Sequence, residues 1–289
     1  MKLQPIVKDY IWGGTRLPDE YGIGAGRVAE AWVCSFIAGN ESLVSGEPVS
    51  AKFPREKWGS ACVAFGEFPI LVKLIDAHSN LSVQVHPNDD YATAHGQAYG
   101  KTEMWYIVDA AKDAFIYLGF KRAVSEKECR AAIAEGTFTE LLRKQPVKKG
   151  ESYFVPAGTV HAIGAGCLIA EVQQSSDCTF RVFDYNRLGA DGKPRPLHIE
   201  EALAVLNYSA YTPQSFTGCL AACPAFTVRA VSADEDANPF SYTSLLIVDG
   251  EGTLNGEKVK KGDSFLMAAG EHYTLKGNLR AIKANTMGR

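Results

Sequence analysis

An internal repeat constrains this chain most. Gly150-Glu-Ser-Tyr-Phe-Val-Pro-Ala-Gly158 lines up with Gly262-Asp-Ser-Phe-Leu-Met-Ala-Ala-Gly270. Each copy follows an apolar stretch ending Ile-Val-Asp, at Ile107-Val108-Asp109 and at Ile247-Val248-Asp249. Two matched segments in one order point to duplication. The spacing from Asp109 to Gly150 is 41 positions and from Asp249 to Gly262 it is 13, so the first copy is 28 positions longer. The chain therefore reads as two related β-domains. Residues 1–208 form the first, with a helical insertion around 123–145, and residues 209–289 form a smaller second.

Short apolar or alternating runs between Gly, Pro and Asn support this reading. Ile70–Ile75, Met104–Val108, Ser152–Val155, Cys167–Val172, Phe180–Phe183, Ser244–Val248 and Ser264–Met267 read as strands. Many short strands with turn signals between them predict a sandwich or barrel. Helical signals are few. Ser125-x-x-Glu128 has the form of a capping box and predicts a helix to about Lys144. Shorter helices are expected over Leu197–Leu206 and between Asn88 and Ala98.

Composition narrows the function classes. The formal net charge is −3, with no long basic run, which argues against nucleic-acid or membrane-surface binding. No apolar run approaches the roughly 20 residues that span a bilayer, and the first residues lack a signal-peptide pattern. The seven scattered cysteines contain no CxxC and read as small core residues of a reduced, cytoplasmic protein. No G-x4-G-K-[ST] string occurs, so ATP chemistry is not indicated. The oligomeric state is left open.

The chemistry concentrates around the first repeat. It continues to His161, giving Gly-x5-Pro-x-Gly-x2-His. Gly150 permits a turn into a strand, and Pro156 and Gly158 shape the turn at its end. The string resembles the second signature of the cupin family, which implies a cupin-type β-barrel of jelly-roll form, mainly β, with His161 pointing inward. In the second copy His272 follows Gly270 by two residues rather than three. A one-residue slip turns a strand side chain to the other face, so the second domain is expected to lack a metal. Upstream, Ser82, Gln84 and His86 alternate with Leu81, Val83 and Val85 and share one strand face. Lys101 and Glu103 share a face on a further strand. His86, Glu103 and His161, with a carbonyl from Gln84, suit Zn²⁺ or another divalent ion.

At these residues the resemblance sharpens. Asn80–Pro87, Gly100–Trp105, Phe154–Ile163, Glu171–Asp177, Arg181–Tyr185 and Arg195–Ile199 resemble, in order, the motifs of a short bacterial type I phosphomannose isomerase. The resemblance implies one zinc ion per chain on Gln84, His86, Glu103 and His161. It implies Lys73 and Ser82 near the substrate phosphate, and Arg181, Glu171 and Lys101 as charged active-site groups. The substrates implied are mannose 6-phosphate and fructose 6-phosphate. One departure stands out. The family commonly has Glu-Ser-Trp-Glu near the N-terminus, and here the run is Glu30-Ala31-Trp32-Val33.

Aldose–ketose isomerisation moves a proton between two carbons through an enediol. Glu171, beside Ile169 and Val172, is the expected base, with partial desolvation raising its pKa. Arg181 is expected to stabilise charge, with an ion pair to Asp184 as the structural alternative. Two rival functions remain at this level: another metal-dependent cupin enzyme, and a non-catalytic sugar-phosphate sensor.

Overall fold

The computed structural model describes residues 1–185, 187–189 and 192–287, and the fold is mainly β. A six-stranded antiparallel sheet runs in the order Ser152–Val155, Glu103–Ala110, Cys167–Gln174, Ile70–Ala77, Glu30–Cys34, Ile6–Lys8. A five-stranded antiparallel sheet runs Leu142–Pro146, Phe115–Phe120, His161–Ile163, Val83–Val85, Phe180–Phe183. Ile75, Trp105, Ile107 and Ile169 of the first sheet share a buried cluster with Leu81, Ile116, Leu118 and Ile163 beside or within the second. The two sheets thus face each other as a cupin-type jelly roll, and they remain two ladders rather than one closed ring.

Alternation decides what each face meets. In the six-stranded sheet Val72, Leu74, Met104, Tyr106, Ala170 and Val172 point away from the jelly-roll interior. They pack with Leu246, Val248, Leu266 and Ile282 of the C-terminal sheet. In the five-stranded sheet Val83, Val85, Phe120, Ala162 and Val182 point outward under helical residues Cys129, Ala132 and Leu203. Both sheets are therefore apolar on their outer faces, and the inner faces hold the polar residues of interest.

The repeat holds in three dimensions. Gly150 and Gly262 have φ of 90° and 93°. Their N–H groups donate to the carbonyls of Ile107 and Ile247, each at 2.8 Å. Ser152 then lies opposite Tyr106, and Ser264 opposite Leu246. The C-terminal repeat belongs to an eight-stranded sheet built around Thr243–Leu254 and Tyr273–Asn285. The N-terminal strand Lys2–Leu3 also joins this sheet, pairing with Phe265 and Ser264.

The insertion differs in detail from the sequence expectation. Its helix spans Glu126–Glu135, ending well before Lys144, because Gly136 takes φ 71° and caps it in the left-handed region. Beyond it, Leu142–Pro146 forms a strand against Phe115–Phe120. The helix begins as expected: Ser125 Oγ accepts from the Glu128 N–H, and the Glu128 carboxylate accepts from the Ser125 N–H. The two other expected helices are Asp89–Ala94 and Ile199–Val205, shorter than the sequence pattern suggests, and the structure adds short helices at Arg16–Tyr21 and Val49–Lys52 that the sequence reading does not name.

Replacing Ser125 with Ala should cost about 1 kcal/mol of unfolding free energy, the usual value of an N-cap. Urea unfolding reads this, and turnover should be unchanged because the helix lies on the outer side of the five-stranded sheet.

Candidate active site

Four strands place the ionic groups in one row. Trp32 lies opposite Lys73, Lys73 opposite Glu171, and Glu171 opposite Trp105. All four are buried. Lys73 Nζ lies 3.4 Å from Glu30 Oε2 and 3.3 Å from Glu171 Oε1. The Trp32 indole N–H donates to Glu30 Oε2 at 2.7 Å, and the Trp105 indole N–H donates to Glu171 Oε2 at 2.9 Å. Parity with Leu71 and Ile75 leaves the direction of Lys73 open in the sequence. The fold turns it inward, where two carboxylates meet it.

Beside this row lie His86, Glu103 and His161, with donor atoms within 4.8 Å of one another. Glu103 Oε2 is 3.6 Å from His86 Nε2, and Glu103 Oε1 is 3.3 Å from His161 Nε2. Each imidazole is oriented from behind: His86 Nδ1 meets the Cys178 carbonyl at 2.9 Å and His161 Nδ1 meets the Thr159 carbonyl at 2.8 Å. A proton on each Nδ1 leaves each Nε2 as an acceptor facing the centre. Burial holds His161 down at about 4, and burial with nearby Lys101 holds His86 well below its ordinary value, so both are neutral. Burial and Glu171 push the Glu103 carboxyl above its ordinary range. Neither Glu103 oxygen accepts a well-formed hydrogen bond, although Lys101 Nζ approaches at 3.2 Å. Two neutral imidazole nitrogens and an unsatisfied carboxylate at this spacing fit a divalent metal ion. The Gln84 amide lies 3.4 Å from His161 Nε2, and turning it end for end brings its oxygen there.

A cavity of about 310 Å³ opens above this centre. Lys73, Ser82, Gln84, Lys101, Glu171 and Arg181 all line it, so the structure gathers every residue singled out from sequence. One expectation is corrected and one structural alternative is set aside. Glu171 does not carry a raised pKa: burial acts to raise it, but Lys73, Lys101 and the Trp105 N–H outweigh burial and hold it below the usual range. Arg181 does not pair with Asp184. Arg187 and Arg195 take that carboxylate, Arg195 through two bonds of 2.7 and 2.6 Å. Arg181 instead donates to the Pro196 carbonyl at 2.8 Å and faces the cavity.

Glu30, Trp32 and Arg195 also line the cavity, and the sequence alone gives them no role. Their motifs are visible in the sequence, but strand register alone reveals the partners. The Glu30-Ala31-Trp32-Val33 departure falls outside the site. Val33 is fully buried on the opposite face, and its carbonyl accepts from Ser264 Oγ at 3.0 Å. In the second repeat His272 is exposed and pairs with Glu235 at 3.0 Å, while buried Tyr273 points inward beside Asp234. Lys283, opposite Leu245 as Glu171 is opposite Trp105, is held by Asp234 and Asp236 at 2.7 and 2.6 Å.

Fold and ligand set define a cupin-type protein with a His/Glu/His centre suited to a divalent ion beneath a polar cavity. Comparison with known proteins is specific. The family description "Phosphomannose isomerase type I, catalytic domain" matches residues 1–114. The chain is 38% identical over 306 aligned positions to "Mannose-6-phosphate isomerase ManA" of Bacillus subtilis (strain 168), covering 96% of each. It is 38% identical over 311 positions to "Mannose-6-phosphate isomerase" of Streptococcus mutans serotype c, covering 98% of this chain and 97% of that one. The solved mannose 6-phosphate isomerase from Bacillus subtilis superposes with a TM-score of 0.87 at 33% identity, covering 98% of both chains. The chain belongs to the type I phosphomannose isomerase family.

Two outcomes follow from this geometry. His161→Ala should weaken zinc binding by more than about 100-fold, since loss of a group merely supporting a ligand costs 10–100-fold. His272→Ala should leave binding unchanged, with elemental analysis after dialysis as the readout. The Asp184 carboxyl is the second case. Burial acts to raise it, but Arg195 and Arg187 hold it below the usual range. Its stabilisation is therefore complete above the ordinary Asp pKa and is lost as pH falls through the depressed folded value. Asp184→Asn should cost about 2 kcal/mol at pH 7, as for hydrogen bonds to a charged group, and the difference should shrink toward about pH 3. Urea unfolding at both pH values reads it.

Proposed function

We propose that the chain interconverts mannose 6-phosphate and fructose 6-phosphate as a metal-dependent isomerase. The observation that carries this reading is one cavity lined by a carboxylate–ammonium pair, Glu171 and Lys73, by two guanidinium groups, and resting on a His/Glu/His centre. The relatives' names, read together with that cavity, support the substrate pair.

In this reading Gln84, His86, Glu103 and His161 would hold one divalent ion, zinc by resemblance to the family, which as a Lewis acid would stabilise negative charge on substrate oxygens. Glu171 takes a proton from the carbon next to the carbonyl, leaving an enediolate, a hydroxyl proton passes from one substrate oxygen to the other, and Glu171 returns its proton to the former carbonyl carbon. Its depressed pKa keeps it ionised and ready to accept that proton at neutral pH. Lys73 and Lys101 supply positive charge beside it and orient hydroxyls. At the phosphate end this reading differs from the sequence expectation of Lys73. Lys73 is already engaged by Glu30 and Glu171, so the phosphate goes to Arg181 and Arg195 at the cavity wall, with the Ser82 hydroxyl nearby. Guanidinium forks match phosphate geometry, and Asp184 behind Arg195 pre-orients one of them. Binding energy at that end positions the sugar for proton transfer at the other.

Two further parts belong to the proposal. Every candidate residue lies in 1–208, which makes that stretch the catalytic unit and 209–289 a smaller supporting unit. A cytoplasmic setting is supported by seven free thiols, four of them buried; no helix among the described residues is long and apolar enough to cross a membrane.

Purified protein given mannose 6-phosphate should produce fructose 6-phosphate, lose turnover on chelation and regain it with zinc. Glu171→Gln should lower kcat by about 10²–10⁴, the usual contribution of a general base. Arg195→Ala should chiefly raise KM. Well-folded, metal-loaded protein without turnover would overturn the isomerase reading.

A further inference from the structure

The two oxygens of Glu171 are not equivalent. Oε2 accepts the Trp105 indole N–H at 2.9 Å. Oε1 is buried at the cavity wall and is met only by the Lys73 ammonium, at 3.3 Å and outside good hydrogen-bond geometry. Trp105 is itself fully buried and sits directly across the strand pair from Glu171. Its ring packs edge-on against His161 with centroids 5.3 Å apart, which helps fix the indole's orientation. From this geometry we infer that Trp105 is a positioning residue for the reaction: its N–H locks the Glu171 carboxylate in one orientation and reserves Oε1 for the proton. The inference rests on the reading of Glu171 as the proton-transfer base.

Physical chemistry favours a lock here. A carboxylate on a three-carbon side chain rotates about its terminal torsion at small cost, and each misaligned rotamer removes the base from reach of the carbon-bound proton. A buried indole donor supplies one directed bond and competes for no proton, because it never titrates in the working range. Holding one oxygen leaves the other with its acceptor capacity intact.

The test is a double-mutant cycle on the full-length, zinc-loaded enzyme. Trp105→Phe keeps an aromatic ring beside His161 and removes the N–H. It should lower kcat about 10- to 100-fold, the weight of a hydrogen bond to a charged acceptor, with KM for mannose 6-phosphate within about twofold and zinc content unchanged. In a Glu171→Gln background the same substitution should cost nothing further, since both act through one group. Wild-type kcat in Trp105→Phe would overturn the inference. So would an undiminished loss in the Glu171→Gln background, or a loss of zinc, because either places the effect on His161. Wild-type kcat in Glu171→Gln would sink the base assignment, and this inference with it. If Trp105→Phe does not fold, 3-benzothienylalanine at position 105 preserves the bicyclic shape without the N–H and decides the same question.

Discussion

Everything at the site depends on charged groups held inside a sheet that is buried on both faces. Glu30, Lys73, Glu171 and Glu103 lie on the interior face of a sheet whose other face packs on the C-terminal unit. Ions in that position are expensive unless each has a partner. Register supplies the partners. Lys73 bridges two carboxylates, and each also accepts an indole N–H, Glu30 through the oxygen that faces Lys73 and Glu171 through the other one. Burial alone would lower the Lys73 pKa, and the surrounding carboxylates reverse that and raise it. Glu103 is the exception, with both oxygens short of hydrogen-bond donors. Its carboxylate, approached by Lys101 Nζ at 3.2 Å, sits where the two imidazoles converge.

The duplication shows how one scaffold carries a reactive interior in one copy and a quiet one in the other. Both repeats use the same glycine turn and the same strand pairing. In the second, the inward histidine position belongs to Tyr273, and the place matching Glu171 belongs to Lys283, which is tied down by two aspartates. Its charges satisfy one another. In the first repeat Glu103 and Arg181 each keep buried polar atoms without a hydrogen-bond partner.

Much of this is legible in the sequence because strand periodicity is local. Three predicted strands, Ser152–Val155, Phe180–Phe183 and Ser264–Met267, match the observed bounds, and His86, Glu103 and His161 converge as the motifs imply. What escapes the sequence is set by register between distant strands. Nothing near Glu171 announces that Lys73 and Trp105 flank it, so its pKa direction comes out wrong when judged from its apolar neighbours alone. Likewise Arg181 has Asp184 close by in sequence, yet Arg195 reaches it first. The capping box fixes where the insertion helix starts, and a glycine late in its pattern fixes where it stops.

The central claim is that one ion on the His/Glu/His centre and one sugar phosphate share this cavity. Crystals grown with zinc and fructose 6-phosphate, measured at the zinc edge, test it directly. The account predicts one strong anomalous peak about 2.0–2.2 Å from His86 Nε2, His161 Nε2 and a Glu103 oxygen, with the phosphate density beside Arg181 and Arg195. A peak at His272, or sugar phosphate bound with its phosphate turned toward Lys73, would contradict it.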